Sequence, residues 1–274
     1  MRGDSGNAKG LVPLAAALAL AALVLGAAVV VLVLASGADQ RRLEALSTGV
    51  VGWAFVGAGL AAWLQRARSR VGPLLTAAGF AWIGGGLDES SVPLVYAAGE
   101  LVRPLFIPLA VHALLGFPSG RLRRVPDRAA ALLLYAAVLV IGPARFLVSP
   151  EPNDDCGDCA RNPLALIDDH ALLELLSGAQ QVAVAAGVGA AAAILARRWR
   201  SAARQGAREI GPALVAAACA LVYLLALGAE HLIDPSDEAE DMLALVQIVA
   251  ASAVPVLVLV GLRRTPAGAL GHGR

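Results

Sequence analysis

The chain has 274 residues, of which 58% are hydrophobic and 16% charged, with a mean hydropathy of +0.70 and a net charge of +1. Soluble domains are nearer half apolar, with about a quarter of their residues charged, so a soluble globular fold is excluded and no nucleic-acid partner is expected. The apolar residues come in blocks of roughly 20, long enough for a helix to cross a hydrocarbon core about 30 Å thick, and no period-two alternation suggests a transmembrane barrel. The expected class is an all-α, polytopic membrane helical bundle in the cell membrane.

In chain order, a short polar tail (1–10) precedes a first span over 11–35. That run exceeds the 7–15 apolar residues of a signal peptide, so it is read as a retained helix. Further spans are predicted at 47–64, 71–87, 92–117, 129–149, 171–196, 211–229 and 242–262, followed by a tail over 265–274. Between the fourth and fifth, Pro118-Ser119-Gly120 forms a turn signal, and Arg121, Arg123, Arg124 and Arg128 follow it. Short loops rich in Lys and Arg stay in the cytoplasm, so this hairpin sets the orientation. Eight spans with both termini cytoplasmic leave only Arg41, Arg42 and Arg161 in outside loops and Arg103 and Arg145 within spans. Every other cation falls inside. The acids divide the opposite way, with only Asp4, Asp127 and Glu209 on the basic side.

Small residues recur four apart at Ala22 and Gly26, Gly57 and Ala61, and Gly187 and Ala191. Such pairs let helix backbones approach closely in lipid. They imply a compact bundle without identifying a dimer face, and a homodimer is left open. Pro255 interrupts the last span, where it can bend the helix or be satisfied by its neighbours.

Three stretches carry a family resemblance. His112-Ala-Leu-Leu-Gly-Phe117-Pro118-Ser119-Gly120-Arg121-Leu, the Cys156-Gly-Asp-Cys159-Ala-Arg-Asn162 loop, and Arg197-Arg198-Trp199-Arg200 with the following Arg204 and Pro212 are together similar to the membrane sensor region of actinobacterial two-component histidine kinases. The resemblance implies a signalling context. In that family the last helix continues into a phosphoacceptor helix and an ATP-binding domain. Here the sequence stops ten residues after Arg264, and His272 lies between two glycines, so no kinase activity is expected of this chain itself. A separate kinase or other signalling protein is the expected partner, beside the lipid bilayer.

Several residues could carry chemistry. Cys156 and Cys159 are expected on the oxidising side, where disulfides persist. The pair reads as a disulfide, as a redox-responsive thiol pair, or as half of a metal site completed by His170 with Glu174 or His231. No second ligand motif is visible and no cofactor is expected. Cys219, within the seventh span, reads as a small buried apolar residue. Glu100 and Arg103 lie three apart on the fourth span and can neutralise each other. Alternatively they line a polar pocket that opens outward, with Arg145 as a further wall, because ionisable groups in a membrane face the bundle interior or water. Pro104 and Pro108 are expected to kink that span. His112 reads as a hydrogen-bonded histidine near the cytoplasmic end. The acidic loop 230–241 lacks the glycine and spacing of a calcium loop.

The expected function is a membrane sensor module acting through a partner. The alternative is a small transporter or channel using the Glu100/Arg103 region, for which inverted repeats would be a signature; none is evident. A thiol-redox membrane enzyme would need a further relay cysteine. The orientation is testable directly. In intact cells a cysteine introduced at Ser119 should resist an impermeant thiol reagent and one at Ser236 should label; labelling at Ser119 would invert the topology.

Overall fold

The structure, a computed structural model, describes residues 4–35, 41–148, 162–204, 215–220, 222–223 and 237–264. The described residues form helices joined by turns and short irregular stretches, with no strand among them. The helices are α1 (Asp4–Ala35), α2 (Arg41–Gln65), α3 (Val71–Gly85), α4 (Pro93–Val102), α5 (Phe106–Leu115), α6 (Val125–Ala136), α7 (Gly142–Phe146), α8 (His170–Arg204) and α9 (Asp237–Arg264). Residues 215–220 and 222–223 are also helical and fall within the predicted seventh span. The protein is an all-α bundle, and six helical stretches among the described residues are long and apolar enough to cross a membrane.

α3 is not among those six. Its 15 residues reach about 22 Å at 1.5 Å per residue, and a 3₁₀ segment, Gly86–Glu89, caps it. It is nevertheless the centre of the bundle, with Val71, Leu75, Ala78 and Ile83 almost completely buried. α2, α4 and α5 pack around it, α1 and α9 pack on α2, and α6 and α8 form a second group joined through α5. The outward faces stay apolar. Leu20 and Val31 of α1, Leu132 of α6 and Val182 of α8 are each more than 60% exposed. So much bare apolar surface suits lipid as the solvent.

The α2–α3 contact is made by backbone. On α2, Gly52 and Gly59 are seven residues apart; Gly72 and Gly79 on α3, and Gly86 just past its end, repeat the same interval. Seven residues is close to two helical turns, so each set forms one stripe. A Cβ on Gly59 would sit 2.5 Å from the Thr76 amide nitrogen, one on Gly72 2.6 Å from that of Trp63, and one on Gly79 2.7 Å from that of Val56. The two helices therefore run antiparallel at a separation that only glycine permits. Partly buried indole N–H groups find carbonyls across the α1–α2 and α2–α3 interfaces: Trp53 donates to Ala22 at 3.1 Å and Trp82 to Ser47 at 3.1 Å. Of the small residues singled out by four-residue spacing, Gly26 packs on Trp53 and Gly187 on Leu134, while Gly57 meets nothing.

Two predicted spans prove to be discontinuous. The fourth, expected as one kinked helix over 92–117, is α4, a 3₁₀ turn at Arg103–Leu105, and α5. Pro104 has no N–H to offer the Glu100 carbonyl, and the helix tightens there. The fifth, expected over 129–149, is α6, a π-helical turn at Ala137–Ile141, and α7. The 3₁₀ and π segments lie against each other. Below the break, Phe106 stacks edge-on against Phe55 and Trp82, with centroids at 4.9 and 4.6 Å, and both Trp82 and Phe106 meet Tyr223. α9 runs unbroken through Pro255.

Gly72→Ala should therefore cost about 1–3 kcal/mol by overpacking, read as a lower thermal midpoint in detergent. Gly57→Ala should stay within about 0.5 kcal/mol, because its Cβ enters open space.

Candidate functional site

The polar site is assembled by glycines at the end of α3. Gly84-Gly85-Gly86 weakens the α-helix, and the chain tightens into the 3₁₀ segment carrying Asp88 and Glu89. Ser90 Oγ accepts from the Val92 amide at 3.2 Å, and Pro93 then opens α4. α4 comes back down so closely that a Cβ on Gly99 would lie 2.2 Å from the Asp88 amide nitrogen, and one on Gly85 3.0 Å from the Arg103 Cβ. Asp88 and Arg103 are thereby brought to one level of the bundle.

The Arg103 guanidinium binds two carboxylates from different elements. Its Nε and Nη2 donate to Asp88 Oδ2 and Oδ1 at 2.9 and 3.1 Å, and Nη2 also donates to Glu44 Oε1 of α2 at 3.1 Å. The side chain of Asp88 is 6% exposed, against 29% for Glu44 and 50% for Arg103. Burial is the largest influence on Asp88 and pushes its carboxyl up to about 7; the Arg103 cation opposes this, and Glu100, Glu44 and Glu89 reinforce it. A buried carboxylate loses hydration that one guanidinium, shared with a second acid, does not replace.

This geometry corrects the expected Glu100–Arg103 pair. Arg103 turns to Asp88 and Glu44, and among the described residues Glu100 makes no ion pair. Glu100 instead lies close enough to act electrostatically on Asp88, Arg103 and Tyr96. The Tyr96 ring packs on Phe146, and its hydroxyl is buried with no partner among the described residues. Arg145, on α7, is close enough for its charge to reach that hydroxyl. Glu100, Arg103 and Arg145 thus line one region with Tyr96, whose part was not visible in the sequence. Asp88 and Glu44 were also missed, because both read as ordinary loop acids. The available signal was the run of three glycines just before Asp88.

At the C-terminal end of the α4–α5 span, the hairpin Phe117-Pro118-Ser119-Gly120-Arg121 docks on the α2–α3 turn. The Phe117–Pro118 peptide is cis. The Pro118 carbonyl accepts from Ser69 Oγ at 2.8 Å and that of Ser119 from the Arg70 amide at 3.0 Å. Gly120 has φ +70°, and a Cβ there would stand 2.6 Å from the Arg70 carbonyl carbon, so glycine is required for both conformation and space. α5 ends at Leu115, before the expected 117. His112 Nδ1 lies 3.3 Å from the Tyr135 hydroxyl, tying α5 to α6.

A second buried bridge lies beside this hairpin. Arg198 of α8 donates to Asp127 Oδ2 at 2.5 Å and to the Leu115 carbonyl at 2.8 Å, with Asp127 in the first turn of α6. Asp127 is 2% exposed. Its scarcity as an acid on the basic side was the clue the sequence offered.

The remaining candidates are dispersed or fall elsewhere. Cys156, Cys159 and His231 lie outside the described residues. His170 is exposed and 3.9 Å from Glu174, and among the described residues no cluster could hold a metal. Asn162 is buried, donates to the Phe146 carbonyl and accepts from the Leu164 amide at 2.9 Å, anchoring the end of the cysteine loop to α7. Cys219 is half-buried and packs at the edge of the core. No protein-family model, curated protein or solved structure matches this chain.

Arg198→Ala should leave Asp127 buried without a counterion and cost about 3–5 kcal/mol. Adding Asp127→Asn should recover part of that loss. A double-mutant cycle on thermal unfolding measures the coupling, and additive effects would mean that the bridge contributes nothing.

Proposed function

We propose that this protein is a membrane signal-sensing module whose input site is the Arg103–Asp88–Glu44 cluster and whose output passes through a signalling partner. The observation that carries this reading is the position of Arg103. It is the first residue of the 3₁₀ break in the fourth span and binds acids from α2 and from the segment after α3. Charges inside a membrane are costly and mark function by default, and a helix break is where bending is absorbed. A change in charge or ligand at this cluster would alter the bend and move α5. α5 is coupled to α6 by His112 and Tyr135, and to α8 by the bond from Arg198 to Leu115. α8 extends to Arg204, which offers a route toward the basic face. The resemblance of the His112–Leu122 stretch to kinase sensor regions fits this reading.

A transporter is the second reading, and the facing 3₁₀ and π breaks favour it, since discontinuous helices build many transport sites. Two measurements separate them. Residues 1–264 joined to a histidine kinase domain should change its autophosphorylation when conditions outside are varied, and Arg103→Ala should abolish that response at equal expression. Proteoliposomes should show no ion current above empty vesicles. A protein-dependent current with an unresponsive chimera would establish transport instead.

A further inference from the structure

Among the described residues, Asp88 is opposed by one guanidinium, that of Arg103, and crowded by three further acids, Glu44, Glu89 and Glu100, while Arg145 acts on the neighbouring Tyr96 hydroxyl. Asp88 is faced by Arg103 from the 3₁₀ break, Glu44 from α2, Glu89 from its own segment, and Glu100 and the Tyr96 hydroxyl from α4. α1, packed on the same segment, contributes only apolar contact there, with Val29 beside Gly86. The backbone around Asp88 is closely packed, with no room for a Cβ on Gly99 against Asp88 and little on Gly85 against Arg103. We propose that Asp88 is a proton-binding site that sets how tightly the 3₁₀ segment Gly86–Glu89 packs on α4, and thereby the bend at Arg103. This inference specifies the stimulus of the sensor reading and rests on it.

The sign follows from linkage. In the packed state the Asp88 carboxyl titrates near 7, while in a state where it meets water it returns toward its ordinary 3.8. The packed state therefore binds the proton more tightly. Acid favours packing, and the packing is lost as pH rises through the interval from about 4 to about 7. Linkage to one proton changes the open-to-packed ratio by up to about tenfold per pH unit in that interval. When the proton leaves, the buried carboxylate must either be held by a guanidinium it shares with Glu44 or draw the segment toward water. Movement of the segment frees Arg103 at the break in the span.

The test uses the full chain in lipid nanodiscs. Infrared difference spectra should show a protonated-carboxyl band that disappears as pH is raised through about 7 and is missing in Asp88→Asn. Hydrogen exchange of the Gly99–Arg103 amides, corrected for intrinsic pH dependence, should rise with pH in the native protein. It should stay slow at every pH in Asp88→Asn, which mimics the protonated form. Glu44→Gln removes a neighbouring negative charge and leaves Arg103 to Asp88 alone, so the midpoint should move to lower pH. Absence of an Asp88 band, or a midpoint unmoved by Glu44→Gln, overturns the inference whatever a signalling assay shows. An Asp88 titration as expected with a kinase chimera that ignores pH would overturn the proton as the stimulus, while a chimera that answers no outside condition would refute the sensor reading.

Discussion

The contact on which the bundle depends is the backbone-to-backbone packing of α2 on α3. In lipid, helices gain little by hiding apolar side chains from one another, so association rests on close van der Waals packing. Gly52 and Gly59 on one side, and Gly72 and Gly79 on the other, bring peptide groups within reach of each other's neighbours. That closeness explains how a helix as short as α3 can be central. It is surrounded by protein and does not have to match the bilayer with lipid-facing surface of its own. The same device continues past its end, where Gly85, Gly86 and Gly99 let the 3₁₀ segment and α4 lie on α1, α2 and each other.

The charge chemistry is a consequence of that packing. Two buried aspartates meet arginines at different levels of the α4–α5 span, Asp88 with Arg103 at its central break and Asp127 with Arg198 beside its C-terminal end. They differ in balance. Asp127 lies in the first turn of a helix, where the macrodipole favours an anion, and its arginine is also held by a helix-end carbonyl. Asp88 shares its arginine with Glu44 and stands among further acids. The first arrangement is a latch between α5, α6 and α8. In the second, burial pushes the Asp88 carboxyl up to about 7, beside the 3₁₀ break in the fourth span.

The breaks themselves are local chemistry given meaning by context. Pro104 removes a hydrogen bond wherever the span is placed. What makes the break a joint is that Arg103 is gripped on one side of it and Phe106 is stacked in the aromatic core on the other. The π turn opposite, at Ala137–Ile141, runs into Gly142-Pro143, and Pro143 has no N–H to offer the Leu139 carbonyl within the turn.

Composition and hydropathy alone determined that this chain is an all-α membrane bundle, because the length of an apolar run is set by bilayer thickness and needs no knowledge of neighbours. Pro104 likewise announced a disruption, and Phe117-Pro118-Ser119-Gly120 a turn, since those residues restrict their own backbone. Which charges meet was a different kind of question. Glu100 and Arg103 are neighbours on one helix surface, and sequence spacing pairs them. The fold instead carries Arg103 to Asp88 and to Glu44, 59 positions away in the chain. Likewise, the glycine stripes of α2 and α3 become an interface only once two helices face each other. Spacing within a helix fixes which side chains share a face; only the tertiary structure decides what that face meets, because the partners arrive from elements whose placement depends on all the others.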